Sequence, residues 1–547
     1  MPCPSRRPVT PTFLACAVSA TALAAQGDPG LATIRADALK GHIYFLASDE
    51  MGGRDSLSPE GRVAAQYIAG FFHRAGLEPI GDNRTYFQNF PMVAAQVDRE
   101  ATMLRARIGA TGTHEREHAY VLGPDFTLGR QGGVDVRVDA PLVFAGYGVS
   151  APEFDYDDFK GVDVADKVVM VLTHEPQETD PASRFKGRFN TVHAYNWWKP
   201  EVIRRHGAAA ILIVQDNVTH RPPRVPSGPT NGQVRTDRPG HALTSPFWDL
   251  PFFTITRRVA DELLAPTGKT VDQLQADIDR AGTPQSQPVP GVSIELRRAI
   301  ASRQVIQTRN VIGMLEGSDP KLKDEYVLIT GHYDHVGQKE SFIFHGADDN
   351  ASAVAAVIAM AEAFAAGPRP RRSIVFLVFE AEEDGLLGAF HYVNTPVVPL
   401  DKTVAVLNMD MIGRDEDSPT WNTKAADNRN AVNVVGTLYN PDLRRIVEAE
   451  NQKIGLKLDY KTDGDDREGW FSRSDQYPFA VKGVPMVFFN TGEHPDYHTA
   501  QDTWDRINYP KIEKIARLVY LSARNVADAS TRPKFVAGAN APAVTSR

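Results

Sequence analysis

Cysteine is almost missing from this 547-residue chain, which has two, Cys3 and Cys16. Both lie in an N-terminal segment that also holds Arg6 and Arg7, a weakly apolar stretch over 13–24, and small residues at Ala22 and Ala24. A basic region, a short apolar region and an Ala-x-Ala ending, in that order, read as a cleaved secretory signal over 1–24 rather than an alanine-rich tail. The expected destination is secreted or periplasmic. The residues after the paired arginines fit twin-arginine export poorly, and too little apolar sequence precedes Cys16 for a lipid anchor to be preferred. Without the signal no cysteine is left, which excludes disulfide staples even in a compartment that permits them. Any metal site must then be built from His, Asp and Glu.

No apolar run reads as long enough to cross a bilayer, so stable membrane insertion is not expected. A basic excess is also lacking: Lys and Arg number 60 against 68 Asp and Glu, for a net charge of −8, or −10 without Arg6 and Arg7. An acidic chain with no basic stripe is a poor nucleic-acid partner. Internal repeats are absent. What remains is ordinary globular composition, 42% hydrophobic and 23% charged. The length calls for more than one domain, since single cores rarely grow past ~250–300 residues.

Three textures follow one another. Residues 25–115 form the N-terminal part of the main unit, with helix, loop and helix over 36–79 and a second helix at 60–75 that stops at Gly76. Residues 120–295 carry short β-like runs at 141–149, 167–172, 208–214 and 251–256, a helix near 197–206, and long polar loops, above all 221–239. This is a separate, mostly-β inserted domain. From 300 to 532 strands and helices alternate. Strands are expected at 326–330, 374–379, 403–409 and 485–489, and helices at 352–366, 440–453 and 510–527. The fold class is therefore α/β, a mixed and mostly parallel sheet covered by helices on both faces. The Ala- and Pro-rich tail, 533–547, is expected to be disordered.

Charged residues cluster just beyond these strands. His332 and Asp334 follow the first, Glu382 and Glu383 the second, Asp410 the third, and Tyr497 and His498 come after the fourth. Asp348 and Asp349 open the Ala-rich helix. Taken singly each has a bland explanation: a surface pair, a helix cap, a solvated face, a turn residue, a core histidine. Ligands of open α/β sheets bind outside the carboxyl ends of the strands, so segments remote in sequence should meet at one rim. Two histidines and several carboxylates, with no thiol, suit zinc or another first-row divalent ion.

These residues carry a resemblance. Gly331-His332-Tyr333-Asp334, the run 346–352 (GADDNAS), the run 382–388 (EEDGLLG), Asn408-Met409-Asp410 and Tyr497-His498-Thr499 are similar, in order, to the motifs of the M28 family of co-catalytic zinc peptidases. That family includes bacterial aminopeptidases and glutamate carboxypeptidase. The run 46–50 (LASDE) with Gly53-Arg54 resembles the family's N-terminal segment, and 120–295 resembles its inserted protease-associated domain. The resemblance implies two zinc ions. His332 and Asp410 would hold one, Glu383 and His498 the other, and Asp349 would bridge, with Asp348 the alternative. It further implies Glu382 as general base, Asp334 as the partner orienting His332, and Tyr497 as donor to the oxyanion. Ala353 departs from the glycine usual after the helix-start serine. His335, His345 and His494 have no role in the pattern and read as surface or loop histidines. The expected activity is an exported aminopeptidase acting on peptides. The alternatives are a carboxypeptidase or dipeptidase on the same scaffold, a glutaminyl cyclase, or a non-catalytic binding protein. Arg414, Arg467 and Arg473 are the cations a carboxypeptidase could use.

Overall fold

The structure, a computed structural model, describes residues 28–109, 116–128, 133–185, 187, 191–195, 198–218, 240–243, 249–419, 421–464, 466 and 469–536. The expected signal segment with both cysteines, the 221–239 loop and Arg467 lie outside the described residues.

Two large sheets organise the described residues. The first has nine strands in the order Gly240–Leu243, Phe87–Val97, Ile300–Leu315, Ser373–Phe379, Tyr326–His332, Thr403–Met409, Met486–Asn490, Ala431–Val435 and Lys457–Asp459. Its centre, the strands Ser373–Phe379, Tyr326–His332, Thr403–Met409 and Met486–Asn490, is parallel. The flanks pair mainly antiparallel, so the sheet is parallel at its core rather than mostly parallel throughout. Composition explains the division. Ser373–Phe379 and Thr403–Met409 are buried at every position, as strands covered on both faces must be. Ile300–Leu315 begins with a long exposed stretch, a pattern an antiparallel flank tolerates.

Alternate residues of the central strands enter two different cores. Val327, Ile329, Ile374, Phe376 and Val378 pack against the helices Ala36–Leu46, Pro59–Arg74, Ala353–Ala366 and Tyr509–Asp528. Leu328, Val375, Leu377 and Phe379 face the helices Leu387–Asn394 and Gln476–Val481. Helices thus cover both faces. Against the expectation that no run is long enough, the segment Ala347–Ala366, an irregular turn followed by the helix Ala353–Ala366, is long and apolar enough to cross a membrane, yet 83% of its apolar window is buried inside the molecule. That helix is the central one of the first core.

The second sheet has eight strands, Arg116–Tyr120, Met103–Ile108, Gln287–Arg298, Val136–Phe144, Val168–Leu172, Ala210–Val214, Phe252–Ile255 and Phe126–Leu128. Helices Trp198–Arg205, Arg257–Leu264 and Val271–Ala281 pack with it. Met103–Ile108, expected in the N-terminal part of the main unit, belongs to this sheet by pairing with Arg116–Tyr120 and Gln287–Arg298. Conversely, Gly240–Leu243 leaves the middle unit to pair with Phe87–Val97. Strand membership depends on partners remote in sequence, which local composition does not carry. The start of the expected disordered tail is also placed. Phe535 stacks on Tyr439 at 5.7 Å, and Val536 N–H donates to the Tyr439 carbonyl at 2.7 Å.

Candidate metal centre

The four parallel strands end on one rim, and the expected site residues lie there. His332 is the last residue of Tyr326–His332. Glu382 and Glu383 sit in the turn after Ser373–Phe379, and Asp410 directly follows Thr403–Met409. Asp349 lies in the irregular turn Ala347–Ser352 that leads into the central helix. Tyr497 and His498 come from the loop after Met486–Asn490.

Two donor groups share Asp349. In one, His332 Nε2 lies 3.2 Å from Asp410 Oδ1 and 3.5 Å from Asp349 Oδ1. In the other, His498 Nε2 lies 2.9 Å from Asp349 Oδ2 and 3.2 Å from Glu383 Oε1. A tetrahedral zinc ion with bonds of ~2.0–2.1 Å has ligand–ligand edges of about 3.3 Å. These separations match that edge. Asp349 presents one oxygen to each group, as a bridge requires. Asp348 does not take part: its Oδ1 accepts from Gly413 N–H at 2.5 Å, and its Oδ2 lies 3.3 Å from His494 Nε2.

Charge balance points the same way. Asp334, Asp349, Glu382, Glu383, Asp410 and Asp475 are buried or nearly so around one small volume. Burial, with Glu383 and Asp410 nearby, pushes Asp349 up to about 8. Burial likewise drives Glu382 far above the carboxylate range, with Asp410, Glu383 and Asp475 adding to it against the pull of His332. Buried like charges need cations or protons. Arg54, fully buried nearby, does not pair with them: it donates to the carbonyls of Tyr333, Leu46, His345 and Gly346. It thereby ties the 48–54 loop to the segments carrying His332 and Asp349. The set of donors and the uncompensated carboxylates fit a pair of divalent cations.

Asp334 braces the site. Its two carboxylate oxygens accept the backbone N–H groups of Glu382 and Glu383 at 3.1 and 3.2 Å. Ser56 donates to it at 3.1 Å. His332 Nδ1 faces its carbonyl at 3.2 Å and its carboxylate at 3.5 Å. One side chain therefore fixes the imidazole and the turn bearing both glutamates.

A cavity of about 350 Å³ opens over these groups, lined by Asp349, Glu382, Glu383, Asp410, Tyr497 and His498 on one side and by Leu386, Met411, Trp470, Arg473 and Phe488 among others. Arg473 donates to Glu493 at 2.9 Å and to the Tyr497 hydroxyl at 3.2 Å. Arg414 is held elsewhere, 2.6 Å from Asp496. The wall at Trp470 is supported from the middle unit, because Asp466 accepts from Trp470 N–H at 2.6 Å and from the Tyr195 hydroxyl at 2.7 Å.

Three features escaped the reading of the sequence. His335, expected at the surface, is fully buried, and its Nδ1 lies 2.9 Å from Glu383 Oε1. Burial, resisted by Glu383, lowers its pKa to about 4 and keeps it neutral. His494 is also buried, whereas His345 is half-buried and hydrogen-bonds Asp49 at 2.8 Å. Asp475 is buried, its two carboxylate oxygens have no hydrogen-bond partner among the described residues, and burial raises its pKa strongly. The His-x-Asp-His spacing of 332–335 was the available signal for the first. Nothing in the local sequence distinguishes Asp475.

The model of peptidase family M28 matches residues 310–523. Aminopeptidase YwaD of Bacillus subtilis (strain 168) is 27% identical over 236 residues, 42% of this chain and 47% of that protein. A probable glutamate carboxypeptidase, VP8, of Zea mays is 25% identical over 351 residues, 58% of this chain and 46% of that one. The chain thus spans about half the length of these curated relatives. Among solved structures, the aminopeptidase from Aneurinibacillus sp. strain AM-1 superimposes with a TM-score of 0.47 at 19% identity, over 94% of this chain and 98% of that chain.

Proposed function

We propose, starting from the peptidase family M28 domain of residues 310–523, that this chain is an exported aminopeptidase with two zinc ions. The observation that carries the reading is the pair of donor groups joined through Asp349 at the floor of an acid-lined cavity. His332, Asp349 and Asp410 would hold one ion, and Asp349, Glu383 and His498 the other. When bound, such a pair supplies Lewis-acid polarisation of the amide carbonyl and lowers the pKa of water toward ~7.

The protein's own groups perform the rest. Glu382 lines the cavity without belonging to either donor group. It takes the proton from the attacking water and returns it to the leaving amine. Tyr497, whose hydroxyl is oriented by Arg473, donates to the oxygen that gains charge. Asp334 keeps His332 and the Glu382–Glu383 turn in register. The carboxylates around the cavity favour a substrate carrying a free ammonium, and the apolar wall of Leu386, Met411, Trp470 and Phe488 receives a side chain.

A second reading, a carboxypeptidase, has one observation in its favour. Arg473 lines the cavity, and a guanidinium is the natural grip for a terminal carboxylate. Its existing pairing with Glu493 counts against that use. A peptide with a free N-terminus and its acetylated copy separate the two. Loss of the first residue from the free peptide alone is the expected result. Residues leaving both peptides from the carboxyl end would replace the aminopeptidase reading. Chelation should abolish hydrolysis and zinc restore it, with about two metals per chain by elemental analysis. The mature N-terminus in the native host should lie near Ala25 or Gln26, as intact mass will show.

A further inference from the structure

His335 is turned into the proposed centre rather than away from it. Its backbone N–H donates to the Arg54 carbonyl at 3.0 Å, which anchors it beyond the strand end. Its ring lies under Gly346, where an added Cβ would sit 2.6 Å from ring atoms. The glycine, at φ 58°, gives the imidazole its place. Nδ1 then lies 2.9 Å from Glu383 Oε1 and 3.7 Å from Asp349 Oδ2. Those are the same two oxygens that His498 Nε2 approaches at 3.2 and 2.9 Å. The two rings stand edge to face, centroids 5.5 Å apart. All four donor atoms lie within 4.8 Å of one another, and the separations scatter about the ~3.3 Å edge of a zinc tetrahedron. A histidine that only hydrogen-bonded Glu383 from outside would face one oxygen. This one straddles a pair, opposite another imidazole.

We propose that His335 is a direct metal ligand through Nδ1, so that the two metal positions are unequal: two histidines and two carboxylates in one, one histidine and two carboxylates in the other. The inference rests on the two-metal reading above. Four protein donors make the His335 position the tighter, and the His332 position empties first under graded chelation.

Cobalt-substituted wild-type protein provides a test that needs no variant. Each ligated imidazole keeps one ring N–H, which the paramagnetic ion shifts far from the diamagnetic envelope. Three exchangeable shifted signals are expected, from His332, His335 and His498, and two would overturn the proposal. The second test measures zinc affinity by chelator competition in wild type, His335→Ala, His335→Asn and the control His345→Ala. Loss of an outer hydrogen-bond partner weakens a metal by ~10–100-fold. Both His335 variants should exceed ~100-fold at the tighter position, with His345→Ala unchanged. Smaller losses reduce His335 to a positioning residue and refute the ligand assignment. A wild-type protein that binds neither zinc nor cobalt would instead remove the two-metal reading itself.

Discussion

Replacing Glu382 by glutamine tests the division of labour between two adjacent glutamates. The change removes a proton acceptor and adds almost no volume. The Glu382 backbone N–H, which holds the turn to Asp334 at 3.1 Å, is untouched. The side chain is about a tenth exposed, with Oε2 3.8 Å from His332 Nε2. Burial disfavours its charge, and Asp410, Glu383 and Asp475 add to that against the attraction of His332, so a neutral isostere should leave the fold as stable or slightly more so. Both metals should stay, because neither donor group contains Glu382. Turnover should fall by ~10²–10⁴, the contribution of a positioned base, or about 3–5 kcal/mol on the barrier. Glu383→Gln should do the reverse, since its Oε1 stands between His498 and His335, and one metal should weaken first. The assay is hydrolysis of an aminoacyl anilide alongside metal content of the same sample. Near-normal turnover in Glu382→Gln, or metal loss from it but not from Glu383→Gln, would refute the assignment.

Three further outcomes follow from the geometry. Asp334→Asn puts an amide donor against the Glu382 or Glu383 N–H, so metal affinity should drop by ~10–100-fold with a parallel loss of turnover; unchanged affinity by chelator competition would dismiss the bracing role. Arg54→Met strands carbonyl acceptors in the core, at ~1–3 kcal/mol for each one left unpaired, and urea unfolding should show a loss of several kcal/mol. His42, buried between Tyr67 and Phe71, is pushed down to about 4 by burial. The native state then binds fewer protons than the unfolded chain between pH ~6.5 and 4, so His42 costs nothing above that window and destabilises as pH falls through it, by up to about 3 kcal/mol. His42→Gln should flatten that part of the stability curve, and superimposable pH profiles for the two proteins would contradict it.

The sequence by itself determined the chemistry available and the order in which it is strung. With no cysteine beyond Cys16, donors had to be His, Asp and Glu. The apolar runs ending at Phe379 and Met409 are local signals, because a strand covered on both faces must be hydrophobic at every position. They place Glu382, Glu383 and Asp410 at strand ends without any knowledge of partners. Tertiary structure alone decided what depends on contacts across the chain. Met103–Ile108 and Gly240–Leu243 exchanged units because a flank strand belongs to whichever edge accepts its hydrogen bonds. Asp349 and Asp348 are neighbours in sequence with equal chemistry, and only the turn before the central helix aims one at the histidines and the other at Gly413 and His494. His335 and Asp475 read as ordinary polar residues because burial is a property of the packed loops around them. The Arg54 guanidinium, reaching four carbonyls from three separate segments, exists as a brace only once those segments have met.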